Sequence, residues 1–227
     1  MRTVGILGGM GPEATILLMQ KVMAAVPARD DADHVPLLVH QNPQVPSRIK
    51  ALIEGTGENP GPTLARMARD LEAGGAEALA MPCNTAHFYA AAVREATALP
   101  FLDMLDLTAT HLAGAGARRI GMLASPATRL AGVFDAPFAR HGLTPVFLRD
   151  DAALLSVIRA VKAGAALAAL RPRLRAEAET LLAQGADHLL IACTELSLMS
   201  DALPTEYRRY TDSLDCLTTA IVDFARG

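Results

Sequence analysis

The feature that most constrains this chain is a repeat. Leu71-Glu72-Ala73-Gly74-Gly75-Ala76-Glu77-Ala78-Leu79-Ala80-Met81-Pro82-Cys83 aligns without gaps on Leu181-Leu182-Ala183-Gln184-Gly185-Ala186-Asp187-His188-Leu189-Leu190-Ile191-Ala192-Cys193. Leu, Ala, Gly, Ala, Leu and Cys agree at six positions, and an acid faces an acid at a seventh. Val4-Gly5-Ile6-Leu7 likewise resembles Ile120-Gly121-Met122-Leu123. Helix–glycine–strand units share short loops and apolar strands, which explains part of the likeness. It does not explain a cysteine at the same place in both copies.

Within each half, strand patterns alternate with helix patterns. Short apolar runs predict strands over Arg2–Leu7, Val35–Val39 and Glu77–Met81, then Arg119–Ala124, Pro145–Leu148 and Ala186–Ala192. Helices are expected from Pro12 to about Val26, over Pro62–Gly74, Ala86–Thr97, Ala127–His141, Ala152–Lys162, Arg173–Gln184 and Ser213–Ala225. This order belongs to an α/β protein with parallel sheets flanked by helices. The loop His40–Pro62, rich in Pro and Gly, is long for a compact domain, a length more often functional than idle.

Composition removes several classes. Aromatics are 4% with no Trp, too few for base-stacking platforms, and a net charge of −3 gives no phosphate-tracking surface, so no nucleic acid is expected. No apolar run reaches the ~18 residues of a membrane span. The uncharged stretch Ala78–Val93 is broken by Pro82, Asn84, Thr85 and His87. The apolar start is too short for a signal peptide and is followed by Pro12-Glu13. Three cysteines, an odd number, read as reduced thiols in a cytoplasm. No close Cys/His spacing resembles a metal-ligand set.

Ligands of open α/β sheets bind beyond the carboxyl ends of the strands. Cys83 and Cys193 each stand at such an end, followed by Asn84-Thr85 and Thr194-Glu195. Two thiols facing a ligand from opposite sides suit inversion of a stereocentre, one sulfur removing a proton and the other returning one. A free thiol near pKa 8.5 needs a helix N-terminus or a cation to become a thiolate. Cys216, on the apolar face of the last helix, reads as a small hydrophobe. Gly9-Met10-Gly11-Pro12-Glu13-Ala14 formally matches a dinucleotide-binding turn. The second strand, however, ends in His40-Gln41-Asn42, without the acid that would hold a ribose. A helix N-terminus for a small carboxylate is the better reading.

Gly8-Gly9-Met10-Gly11-Pro12-Glu13-Ala14-Thr15, Met81-Pro82-Cys83-Asn84-Thr85-Ala86-His87 and Ala192-Cys193-Thr194-Glu195-Leu196 resemble, in order, the signatures of the cofactor-independent aspartate/glutamate racemase family, the aspartate branch above all. The resemblance implies two pseudosymmetric α/β lobes, each a mainly parallel sheet, with the active site in the cleft between them. It implies α-proton exchange by two cysteines without pyridoxal phosphate or other cofactor, and a homodimer. Residues 1–98 with 208–227 would form one lobe and 99–207 the other. Carried over by position, Cys83 and Cys193 are the acid–base pair, and Asn84, Thr85 and Thr194 hold the substrate's α-carboxylate or amine. Met10 lines the cleft, Arg48 and Lys162 match the family's two basic positions, and Glu195 tunes the second thiol or caps the next helix. Ser47 stands where the family commonly has an acid, and Ser125-Pro126-Ala127-Thr128 replaces a Thr-x-Gly-Thr turn. Both departures bear on side-chain specificity.

The expected activity is racemisation of an acidic amino acid, aspartate before glutamate. Two alternatives share the cleft: an isomerase of another amino acid or a hydantoin, and a non-catalytic two-lobed protein that binds an amino acid or dicarboxylate.

Overall fold

A computed structural model describes residues 1–203 and 210–227. Two four-stranded, all-parallel sheets form the framework. The first contains β1 (Val4–Gly8), β2 (Leu37–Gln41), β3 (Ala78–Ala80) and β4 (Phe101–Leu102), in the order β2-β1-β3-β4. The second contains β5 (Arg119–Ala124), β6 (Thr144–Val146), β7 (His188–Ala192) and β8 (Tyr210–Asp212), in the order β6-β5-β7-β8. The strand order of one is the strand order of the other.

Helices cover the faces: α1 (Pro12–Ala24), α2 (Gly61–Ala73), α3 (Ala90–Ala96), α4 (Met104–Gly114), α5 (Pro126–Leu130), α6 (Asp135–His141), α7 (Ala152–Lys162), α8 (Leu167–Ala183), the single turn α9 (Thr194–Ser197) and α10 (Ser213–Arg226). None among the described residues is long and apolar enough to cross a membrane.

The repeat has a physical cause in each lobe. A Cβ placed on Gly5 of β1 would lie 2.9 Å from Ala76 and 3.2 Å from the Leu71 Cβ, so the helix before β3 packs directly on the strand. Gly121 of β5 stands in the same relation to Ala186 at 3.0 Å and Leu181 at 3.1 Å. The matched glycines Gly75 and Gly185 end their helices at φ +94° and +89°, where side chains are disfavoured. The matched acids tie the next strand to its neighbour: Glu77 accepts from the Thr3 N–H at 2.7 Å, and Asp187 from the Arg119 N–H at 3.0 Å. The repeated Leu, Gly, Ala and acid at these positions therefore hold helix, turn and strand together, a duty the cysteine does not share.

The helices after the two last strands exchange lobes. Leu214, Leu217 and Ile221 of α10 share a buried cluster with Val4, Ile6 and Ala80 of the first sheet. Leu105, Ala109 and Leu112 of α4 pack with Ile120, Met122 and Leu190 of the second. Pairing of β4 with β3 puts the chain's exit from the first sheet after Leu102, not at 98. The expected return at 207/208 lies outside the described residues; β8 pairs with β7 in the second sheet.

Several expectations change in detail. The helix expected over Ala127–His141 is split into α5 and α6, with Gly132 between them at φ +59°. The helix expected from Arg173 begins at Leu167 and carries Pro172 in its second turn. The long loop contains a π-helical turn at Lys50–Glu54. Helix α4 was not expected, although Asp103 caps it by accepting from the Leu105 and Asp106 N–H groups at 2.9 and 3.2 Å.

Candidate active site

The carboxyl ends of β1, β3, β5 and β7 converge on one cavity of about 340 Å³, lined by residues of both lobes. Cys83, just past β3, and Cys193, at the end of β7, both line it. They are almost equally buried, at 8% and 7% exposure. The repeat that matched them in sequence thus places them at one site from two sheets.

Their surroundings differ. The Cys193 Sγ donates to Glu195 Oε2 at 3.0 Å, and the other Glu195 oxygen pairs with Lys162 Nζ. Burial pushes the Cys193 thiol well above its ordinary pKa, and the Glu195 charge and hydrogen bond add to this against the opposing pull of Lys162. Burial alone would lower the Lys162 ammonium; the Glu195 carboxylate outweighs it and raises the pKa. Among the described residues, Cys83 Sγ has no hydrogen-bond partner, and its carbonyl is anchored instead. His87 Nδ1 bonds the Cys83 carbonyl at 2.9 Å, while its Nε2 accepts from the Met104 N–H at 3.3 Å. That pattern assigns the neutral Nδ1–H tautomer, and burial holds the imidazole pKa below its usual value.

The glycine-rich turn shapes one wall. Gly9 at φ +94° and the buried Met10 lead into α1, whose N-cap, Gly11, has no side chain to close it. A Cβ on Gly11 would lie 3.4 Å from both Glu13 Oε2 and Glu195 Oε1, so two of the protein's own carboxylates gather at this helix start. The Arg48 guanidinium is clamped by the carbonyls of Val45 at 3.2 Å, Pro46 at 2.9 Å and Met10 at 3.3 Å. Three of its five donors are then used, leaving Nε–H and one Nη2–H without a partner among the described residues. No carboxylate among the described residues pairs with it.

Of the residues singled out in the sequence, Met10, Arg48, Cys83, Thr85, Lys162, Cys193 and Glu195 line the cavity. Asn84 and Thr194 do not. Both are 2% exposed. Asn84 Nδ2 donates to Ser213 Oγ at 2.9 Å, and Ser213 donates to the Ile191 carbonyl at 3.0 Å. The Thr194 hydroxyl donates to the Pro82 carbonyl at 3.2 Å, and Thr85 and Thr128 share a hydrogen bond of 2.9 Å. These bonds join the lobes beneath the site. Ser47 and Ser125, named in the sequence as departures from the family pattern, also line the cavity, as do Glu13 and Ile158, which were not given a site role by sequence. Ser125, at the end of β5, stands where Gly9 stands after β1, a signal the repeat itself carried. Among the described residues no group of acids, cysteines and histidines could hold a metal ion. Cys216 is half-buried on α10, and burial pushes its thiol up to about 11.

Behind the site, Asp212 caps α10, its Oδ1 accepting from the Leu214 N–H at 2.9 Å and the Ser197 hydroxyl at 2.8 Å. Among the described residues its buried Oδ2 has no partner. Burial, with the Asp215 charge nearby, pushes its pKa from 3.8 to about 6. The folded chain therefore holds this proton more tightly than the unfolded one. The resulting stability is complete below about pH 4 and lost as pH rises through 6. Asp212→Asn, which keeps the Oδ1 acceptor, is expected to remove a loss on the order of 2–3 kcal/mol. Urea unfolding at pH 5 and 7.5 checks this: the variant should gain on the wild type at the higher pH.

Comparison with known proteins identifies a family and a fold. The Asp/Glu/Hydantoin racemase family matches residues 7–221. An aspartate racemase from Picrophilus torridus superposes with a TM-score of 0.85 at 28% identity, covering 100% of this chain and 95% of that one. The broad specificity amino-acid racemase RacX of Bacillus subtilis is 25% identical, over 96% of both chains. A glutamate racemase from Francisella tularensis, 13% identical with a TM-score of 0.68 over 98% of this chain and 80% of that one, shares the fold. With a family match across nearly its whole length and two cysteines at equivalent ends of its paired sheets, this chain belongs to the Asp/Glu/hydantoin racemase family.

Proposed function

We propose that the protein is an aspartate racemase that moves the substrate's α-proton between Cys83 and Cys193 without pyridoxal phosphate. The observation that carries this reading is the pair of thiols reaching one cavity from two equivalent strand ends. One sulfur, as thiolate, takes the α-proton; the C–H bond breaks, an S–H bond forms, and the electron pair moves onto the α-carbon and its carboxylate. The thiol on the other face then gives its proton to the carbon and becomes the thiolate. Atoms and charge balance, and the enzyme ends in the mirror protonation state, ready for the reverse reaction.

Two features support an acidic substrate. Arg48 is a cation with donors to spare, and a guanidinium suits a bidentate grip on a carboxylate. The Picrophilus torridus structure that resembles the chain is an aspartate racemase. Asn84 and Thr194 are then positioning residues for the thiol loops, and Thr85, Met10 and Lys162 face the substrate. Free thiols fit a reducing cytoplasm, and a homodimer is the assembly the family resemblance implies.

A second reading, a racemase of wider amino-acid range, is favoured by one observation: Lys162 is already neutralised by Glu195. Chiral chromatography after incubation with L-aspartate, L-glutamate and L-alanine separates the two. The first reading expects D-aspartate to form fastest, and comparable rates on alanine would establish the second. Failure on both acids would overturn the acidic-substrate reading. Arg48→Lys keeps the charge but loses the fork, so kcat/KM for aspartate should fall about 10–100-fold, mainly through KM.

A further inference from the structure

We infer that Glu195 is a positioning residue that keeps the proton on Cys193, so that the empty enzyme waits with Cys83 as its ready base. The inference rests on the two-thiol reading above and adds an inequality between the thiols that the repeat does not show.

The geometry is one-sided. Glu195 is 6% exposed, and one of its oxygens accepts from Cys193 Sγ at 3.0 Å. Only a protonated sulfur can donate that bond. Ionising Cys193 would break it and set a thiolate against a buried carboxylate, a costly arrangement in a poorly solvated site. The other oxygen is held by Lys162, which fixes the carboxylate in place. Nothing comparable touches Cys83, whose sulfur lacks a hydrogen-bond partner among the described residues. The titratable groups that share the cavity with Cys193 are Glu195 on α9, Lys162 on α7, Cys83 past β3, Glu13 on α1 and Arg48 in the long loop. Of these, Glu195 alone is bonded to the sulfur.

Lys162 therefore acts in two directions. Paired with Glu195, it weakens the hold on the Cys193 proton; drawn away by a substrate carboxylate, it leaves Glu195 to hold that proton more firmly. A bound acidic substrate thus meets a stronger commitment to the Cys83-base form than the empty site has.

Directional rates do not test this. Enantiomers have equal free energy, so kcat/KM is equal in the two directions whatever Glu195 does. Thiol alkylation does test it. Wild-type protein without substrate is pulsed with iodoacetamide between pH 6 and 9, and the modified cysteines are counted by peptide mass spectrometry. The two cysteine residues are almost equally exposed, at 8% and 7%, and the Glu195 and Lys162 variants compare each sulfur with itself. Cys83 should be modified at least about tenfold faster than Cys193 at pH 7.5, with Cys193 rising only at higher pH. Glu195→Gln should speed modification of Cys193 about tenfold and leave Cys83 little changed, and Glu195→Asp should restore part of the protection. Lys162→Met should slow Cys193 further, a change of opposite sign that a general loosening of the site would not produce. Equal wild-type rates across the pH range, or the same sign of change in Glu195→Gln and Lys162→Met, would overturn the inference. Labelling needs no turnover, so an inactive protein on every amino acid tried would count against the proposed function and leave this result readable.

Discussion

Cys83→Ala and Cys193→Ala are each expected to lower racemisation at least about 10³-fold, with the double variant no worse than either single one. Each thiol serves one face of the α-carbon, and inversion needs both, so the losses cannot add. The fold should survive both changes. Both cysteines line the cavity with 8% and 7% exposure, and the nearby bonds that join the lobes are made by Thr194, Thr85 and Asn84. Circular dichroism and urea midpoints close to wild type, alongside a rate loss in both directions, would separate chemistry from structure. A single variant that kept a tenth of the wild-type rate would remove that cysteine from the mechanism.

Gly9→Ala has the largest expected effect on stability. Gly9 is at φ +94°, and a Cβ there would lie 2.4 Å from the carbonyl carbon and oxygen of Asn42. Backbone atoms cannot rotate away, so the turn after β1 or the end of β2 must move. Gly75 supplies the control, since it has the same φ of +94° with nothing within 4 Å of its Cβ. Gly75→Ala should cost the backbone preference alone, about 1–2 kcal/mol. Gly9→Ala should cost that and the clash, at least about 3 kcal/mol in total, read from urea unfolding. Equal losses in the two variants would mean that the turn at Gly9 yields easily.

Much of this architecture was legible because two lobes solved one packing problem with the same residues. Leu71, Gly75, Ala76, Glu77 and Leu79 recur as Leu181, Gly185, Ala186, Asp187 and Leu189, since each set seats a helix on a glycine of the central strand and ties the strand's start. The cysteine has no such duty, and its repetition is what pointed to chemistry. Elements without a pattern were hidden. β4 has two residues and β8 three, too short for any periodicity, and the helix expected from Arg173 begins six residues earlier, at Leu167, with Pro172 inside it. The exchange of α4 and α10 between lobes was invisible for a different reason: an apolar helix face says that it is buried, not which sheet buries it.

The site was legible in its residue types and less so in their partners. Arg48, Lys162 and Glu195 were singled out, and all three line the cavity. That Lys162 and Glu195 hold each other, 33 residues apart in sequence, depends on how α7 meets the turn after β7. No local pattern encodes that meeting. Asn84 and Thr194, polar and next to the thiols, read as substrate contacts but turn inward to bind Ser213 and Pro82. Short polar side chains beside a strand end can face either way, and buried carbonyls need donors.

The measurement that bears most directly on the two-thiol account is early-time racemisation of L-aspartate in D2O, read by proton NMR and chiral separation. A two-base enzyme removes a proton with one sulfur and delivers solvent deuterium with the other. The D-aspartate formed should therefore carry deuterium at the α-carbon while the remaining L-aspartate keeps its proton. Deuterium appearing equally in both enantiomers from the start would show a single base serving both faces and would contradict the account, as would the absence of any exchange.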